Sequence, residues 1–121
     1  MNLVDSSGWI EYFFAGFHAS FFSGPIEDVG RLIVPSICLY EVFKKVFQVA
    51  DEARALRAVA QMKLARVIDM NEDIAIKAAL ISIKRRLPMA DSIILATAQL
   101  EKSIIWTLDS HFKGIPGTKM P

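Results

Sequence analysis

Two short apolar runs near opposite ends of the chain each stop at an aspartate. Asn2-Leu3-Val4 runs into Asp5 and two serines, and Ile104-Ile105-Trp106-Thr107-Leu108 runs into Asp109-Ser110. Apolar runs this short, closed by polar residues, read as strands buried on both faces, the environment of a parallel sheet. Open α/β sheets gather their chemistry at the carboxyl ends of their strands. Two strands that each end in Asp therefore bring two carboxylates to one rim.

The length of 121 residues suits a single domain, 1–121, with one core. Hydrophobic residues make up 53% of it, yet no apolar run approaches the roughly 20 residues of a membrane helix. The most apolar stretch, Trp9 to Phe22, is broken by Glu11, Gly16, His18 and Ser20. With no basic leader either, the expectation is a cytoplasmic protein, no membrane partner, and some apolar surface covered by another chain. The single cysteine, Cys38, excludes an internal disulfide and a thiolate-rich zinc centre, and reads as a small buried hydrophobe. A net charge of +1 excludes bulk electrostatic binding of nucleic acid but not a local contact.

Between the two aspartates, strands alternate with helices. Ser6 or Ser7 is placed to cap a helix carrying Trp9, Phe13 and Phe17. Gly24-Pro25 reads as a turn and Leu32-Ile33-Val34 as a second strand. Ser36 then opens a helix through Ala50 with the stripe Leu39, Val42, Phe43, Val46, Val49 and Ala50. That stripe sets Glu41 on the opposite side, four residues before Lys45, as an ordinary surface pair. Asp51 or Glu52 opens the next helix, with the ridge Leu56, Val59, Ala60 and Leu64. Val67-Ile68 leads to Asp69, and Asn71 caps a helix closed by Lys84-Arg85-Arg86. The stretch from Pro88 to Lys102 is apolar almost all round and so must be buried, and Asp91 lies in its first turn. His111 to Gly117 reads as a loop, with His111 a loop side chain rather than a metal ligand. The fold class is α/β: three layers, α/β/α, with a mainly parallel sheet of four to five strands.

Asp5, Asp91 and Asp109 are hard to dismiss as surface decoration. If they meet, their like charges raise one another's pKa values and destabilise the fold. A divalent cation resolves that conflict, and oxygen ligands without Cys or a well-placed His suit Mg²⁺ or Mn²⁺. Metal-assisted phosphodiester hydrolysis follows as a reaction class.

Four strings in order resemble a PIN domain, more narrowly the VapC-type toxins of toxin–antitoxin pairs. They are Asp5-Ser6-Ser7, the helical Glu41 in Leu39-Tyr40-Glu41-Val42, Ala90-Asp91-Ser92-Ile93, and Thr107-Leu108-Asp109-Ser110-His111-Phe112. The resemblance implies a metal-dependent ribonuclease in which Asp5, Glu41, Asp91 and Asp109 hold Mg²⁺ or Mn²⁺, with Ser6 and Thr107 as hydroxyls near the metal. It turns Glu41 from a surface residue into a site residue. It further implies an RNA substrate, a homodimer, and a small antitoxin wrapped on the aromatic N-terminal helices, where Trp9, Phe13, Phe17, Phe21 and Phe22 would suit a groove. Lys44, Lys45, Arg85 and Arg86 are candidates for RNA phosphates.

Two alternatives differ in kind. One is a catalytically idle PIN-like module that works through its aromatic surface. The other is a phosphoacceptor receiver domain using Asp69, although such domains resemble one another in an acidic pair after the first strand, where this chain has serines.

Overall fold

In a computed structural model describing residues 1–121, the chain folds as a five-stranded sheet with helices on both faces. The elements run β1 (Asn2–Val4), α1 (Ser6–Phe13), α2 (Ala19–Glu27), β2 (Leu32–Pro35), α3 (Ser36–Val49), α4 (Glu52–Met62), β3 (Arg66–Ile68), α5 (Glu72–Arg85), α6 (Met89–Leu100), β4 (Ile104–Trp106) and β5 (Thr118–Lys119). The strand order is β3-β2-β1-β4-β5 and every pairing is parallel. The first strand is thus the central one, and Leu3 and Val4 are wholly buried. Chain direction across the sheet reverses between β1 and β4, which is where an α/β sheet opens a crevice at its carboxyl edge. Asp5 and Asp109 follow those two strands.

Several local expectations change. Asp5, not a serine, caps α1, its Oδ1 accepting from the backbone N–H of Gly8 at 3.0 Å. The carboxylate outcompetes the hydroxyls because it is already at the mouth of the helix. Pro35 holds the cap position of α3 with no side-chain bond, and Ser36 is the first helical residue. Asp51 and Asn71 do cap α4 and α5. Gly24-Pro25 is no turn: α2 runs through both to Glu27. Pro25 and Ile26 are buried, and packing carries the helix through a last turn where a missing N–H costs one bond. The chain breaks instead at Ala15, whose φ is 50°.

The inward face of α4 is Ala55, Ala58 and Met62, whereas Leu56 and Leu64 are 55% and 70% exposed. Small residues let α4 lie close on α3, which turns the larger side chains outward. On α3 the buried line is Cys38, Val42 and Val46, and Phe47 and Val49 face out. Trp9 and Phe22, which helical spacing allows in the core and the family resemblance would give to a partner groove, are 1% and 0% exposed. They fill the space between α1, α2 and the sheet, the use a chain this size makes of its largest apolar side chains. β5 has no apolar signature and exists through its bonds to β4, with Ile105 N–H donating to Gly117 O and Thr107 N–H to Lys119 O.

Gly8 shows how tight the first crossover is. A Cβ there would sit 2.6 Å from both Phe22 Cε1 and Val4 Cγ1. Gly→Ala inside a helix ordinarily stabilises by up to about 1 kcal/mol, but overpacking a buried seam costs about 1–3 kcal/mol. Gly8→Ala is therefore expected to lower stability by chemical denaturation, and a stabilised variant would refute this packing account.

Candidate active site

Asp5 enters the site from the end of the central strand and is 2% exposed. Its Oδ1 accepts from Ser7 Oγ at 2.6 Å as well as from Gly8, and its Oδ2 accepts from Thr107 Oγ1 at 2.5 Å. Ser7 Oγ in turn accepts from the backbone N–H of Leu108 at 3.0 Å, and Thr107 Oγ1 from that of Asp109 at 2.8 Å. These bonds fix the ends of β1 and β4 to each other. Burial nonetheless pushes Asp5 up to about 6, against the lowering effect of its hydrogen bonds.

Asp91 arrives on the first turn of α6, a helix buried from Asp91 through Ala98. Burial, then the adjacent Asp109 carboxyl, raises it to about 7. For Asp109 burial acts upward too, but the His111 backbone N–H, the proton shared with Asp91 and the His111 ring outweigh it and hold it below the usual range.

Glu41 projects from α3 and accepts from Ser6 Oγ at 2.6 Å. It is half-buried, so the side of α3 that periodicity assigns to solvent is the wall of a cleft. The cavity there has a volume of about 400 Å³ and holds all four acids, Asp5, Glu41, Asp91 and Asp109, with Ser6. Lys44 and Lys45 line it, with Tyr40 and Gln48. Arg85 and Arg86 do not; they are exposed at the end of α5, where Arg86 takes a left-handed φ of 55°. Asp69 is exposed after the edge strand β3, outside the cavity. Cys38 is buried, and burial pushes its thiol far up, which leaves it inert.

His111 is the member that sequence reasoning leaves out. Its Nδ1 lies 2.7 Å from Asp109 Oδ1 and 3.2 Å from Asp91 Oδ2. Asp109 starts a tight turn by accepting the His111 backbone N–H at 2.9 Å, and that turn swings the ring back over the carboxylates. The available signal is the Asp-Ser-His spacing, which a turn, unlike an open loop, folds onto itself.

The donor set suits a divalent cation. Ligand atoms from Asp91, Asp109 and His111 lie within 4.8 Å of one another, and two crowded carboxyls hold protons well above their ordinary range. Positive charge from a cation would replace those protons.

Residues 3–117 match the family model for the PIN domain. The chain belongs to the PIN domain family. Several solved structures share this PIN fold over nearly its whole length. A toxin–antitoxin complex from Klebsiella pneumoniae matches with a TM-score of 0.80 at 26% identity, covering 98% of this chain and 96% of that one. Mycobacterium tuberculosis VapC20, a sarcin–ricin-loop-cleaving toxin, matches at 0.81 and 15% identity, covering 97% and 96%. A DNA-bound VapBC from Salmonella typhimurium matches at 0.75 and 18% identity, covering 100% and 98%. No curated protein matches the chain by sequence. Membership in the PIN family removes the receiver-domain alternative, consistent with the outlying Asp69.

The raised Asp5 carboxyl makes a thermodynamic prediction for this PIN domain without metal. The folded state binds that proton more tightly than the unfolded chain does. The stability it contributes is full below about pH 3.8 and is lost as pH rises towards 6. Above that, the buried charge costs on the order of 3 kcal/mol. Asp5→Asn keeps an oxygen for Gly8 and Ser7 and removes the charge. In chelator it should be more stable than wild type at pH 8, with the gap closing by pH 4 in denaturant melts. A gap that did not vary with pH would overturn this assignment.

Proposed function

We propose that the protein is a divalent-metal-dependent ribonuclease, the toxin of a toxin–antitoxin pair acting in the cytoplasm. The observation that carries this reading is the convergence of Asp5, Glu41, Asp91 and Asp109 on one cavity that two lysines also line. In it, Asp5, Asp91 and Asp109 hold Mg²⁺ or Mn²⁺, and Glu41, oriented by Ser6, completes the acidic set. A divalent cation bound there supplies an acidified water and neutralises charge building on the phosphodiester. Thr107 fixes the Asp5 carboxylate, so the ligand oxygens need little reorganisation. Lys44 and Lys45 hold flanking phosphates as point charges. Arg85 and Arg86 lie outside the cleft lining, so this reading assigns them no phosphate within it.

Two surfaces support the partners. The first is a groove of about 720 Å³, lined by Leu39, Phe43, Phe47 and Val59 on α3 and α4. It is a seat for the antitoxin, beside a second groove that Phe13 and Phe14 share with Arg54 and Arg57. This moves the antitoxin off Trp9 and Phe22, which are core, and off Phe21, which packs on Trp106 at 5.1 Å. Phe17, 93% exposed, stays available. The second surface is α5, where Ile76, Leu80 and Ile83 form an exposed stripe. The helix is acidic at its first turn (Glu72, Asp73) and basic at its last (Lys84, Arg85). An antiparallel two-fold pairing of α5 with α5 stacks the stripe on itself and sets each acidic end opposite a basic one.

Two experiments follow. Asp91→Asn keeps the side chain's shape and removes its charge, so Mg²⁺- or Mn²⁺-dependent cleavage of a structured-RNA pool should fall by at least about tenfold. Metal binding without cleavage by a folded, antitoxin-free wild type would instead favour the idle binding module. Leu80→Asp should convert a dimer to a monomer in sedimentation velocity, and a wild type that sediments as a monomer would sink the α5 pairing.

A further inference from the structure

We propose that His111 is itself a nitrogen ligand of the metal centre and makes the site select a first-row transition ion over Mg²⁺. This deepens the reading above and rests on it. The imidazole Nδ1 stands 2.7 Å from an Asp109 oxygen and 3.2 Å from an Asp91 oxygen. Adjacent ligands of an octahedral ion with bonds of about 2.1 Å are separated by about 3 Å. The imidazole nitrogen therefore already stands at the spacing of a neighbouring shell position from an oxygen of each carboxylate, and one ligand atom from each of the three residues lies within 4.8 Å of the others.

The turn that places the ring is independent of any metal. The Asp109 carboxylate accepts the His111 backbone N–H, and Phe112, wholly buried, anchors the turn from the other side. His111 is thus delivered to the acids by the backbone. An alternative is a ring that only hydrogen-bonds Asp109; that role needs no proximity to Asp91, yet the structure has it. Imidazole adds affinity for first-row transition ions, whereas Mg²⁺ keeps to oxygen ligands and its own waters. An all-carboxylate site would not discriminate in this way.

The test uses the intact protein and Mn²⁺ as the probe ion. Pulsed EPR of the Mn²⁺-loaded wild type should show modulation from a directly bound ¹⁴N, and His111→Asn should abolish it. Asn retains a donor for Asp109 without offering an imidazole. By titration, His111→Asn should weaken Mn²⁺ binding at least about tenfold and Mg²⁺ binding by no more than about twofold. Absence of nitrogen modulation in the wild type, or equal losses for both ions, would overturn the assignment while leaving the metal-dependent nuclease intact. A wild type that bound neither ion would overturn that broader reading as well. The wild-type spectrum needs no variant, so it decides the question even if His111→Asn misfolds.

Discussion

The bond between Thr107 Oγ1 and Asp5 Oδ2 is the constraint on which the rest of the site depends. It ties the end of the central strand to the end of its neighbour, and it does so through the carboxylate that also caps α1. One side chain therefore sets the start of the first helix, the mutual position of two strands and an oxygen of the cleft. Ser7 and Thr107 each accept a backbone N–H from the β4 side as they donate to Asp5. The network is closed, with no hydroxyl left to drift. Such closure is how a buried carboxyl is tolerated without a compensating positive charge.

The cleft collects acids at a cost to the fold. Asp5 and Asp91 are both pushed well above the ordinary carboxylate range, chiefly by burial. Stability alone would favour apolar side chains there, so the gathering of ionisable groups in one cleft marks a site built for binding rather than for folding. The lysines on the α3 wall are too exposed to neutralise the acids; they face what enters the cleft.

How much of this is legible in the sequence depends on what each residue answers to. Both strand-end aspartates, the parallel sheet and the buried α6 are visible because burial on both faces leaves an unbroken apolar run. Glu41 is not visible from periodicity, since a helix face lining a cleft and one facing bulk solvent are equally polar; resemblance to a family is needed. The inward ridge of α4 is hidden because Ala55 and Ala58 face the core on account of their small size, a demand set by the partner helix. Trp9 and Phe22 can be read as core or as interface because nothing local says how much volume the sheet leaves to fill. β5 has no sequence signature, existing only as a hydrogen-bonding response to β4. His111 is masked by the Gly and Pro around it, which announce irregular chain but not where a turn points.

The topology carries a consequence for the order in which this protein becomes competent. The oxygen of Asp5 and the hydroxyl that fixes it are separated by 102 positions, and β4 is laid down after all four helices that separate it from β2. Until that late strand docks, the innermost strand has one bare edge, and Asp5 lacks the hydroxyl that completes its environment. A polypeptide still emerging from the ribosome thus lacks a finished cleft however well its earlier half has folded. Maturation of the site coincides with the last long-range docking step, which confines any reactivity to chains whose synthesis has passed Asp109.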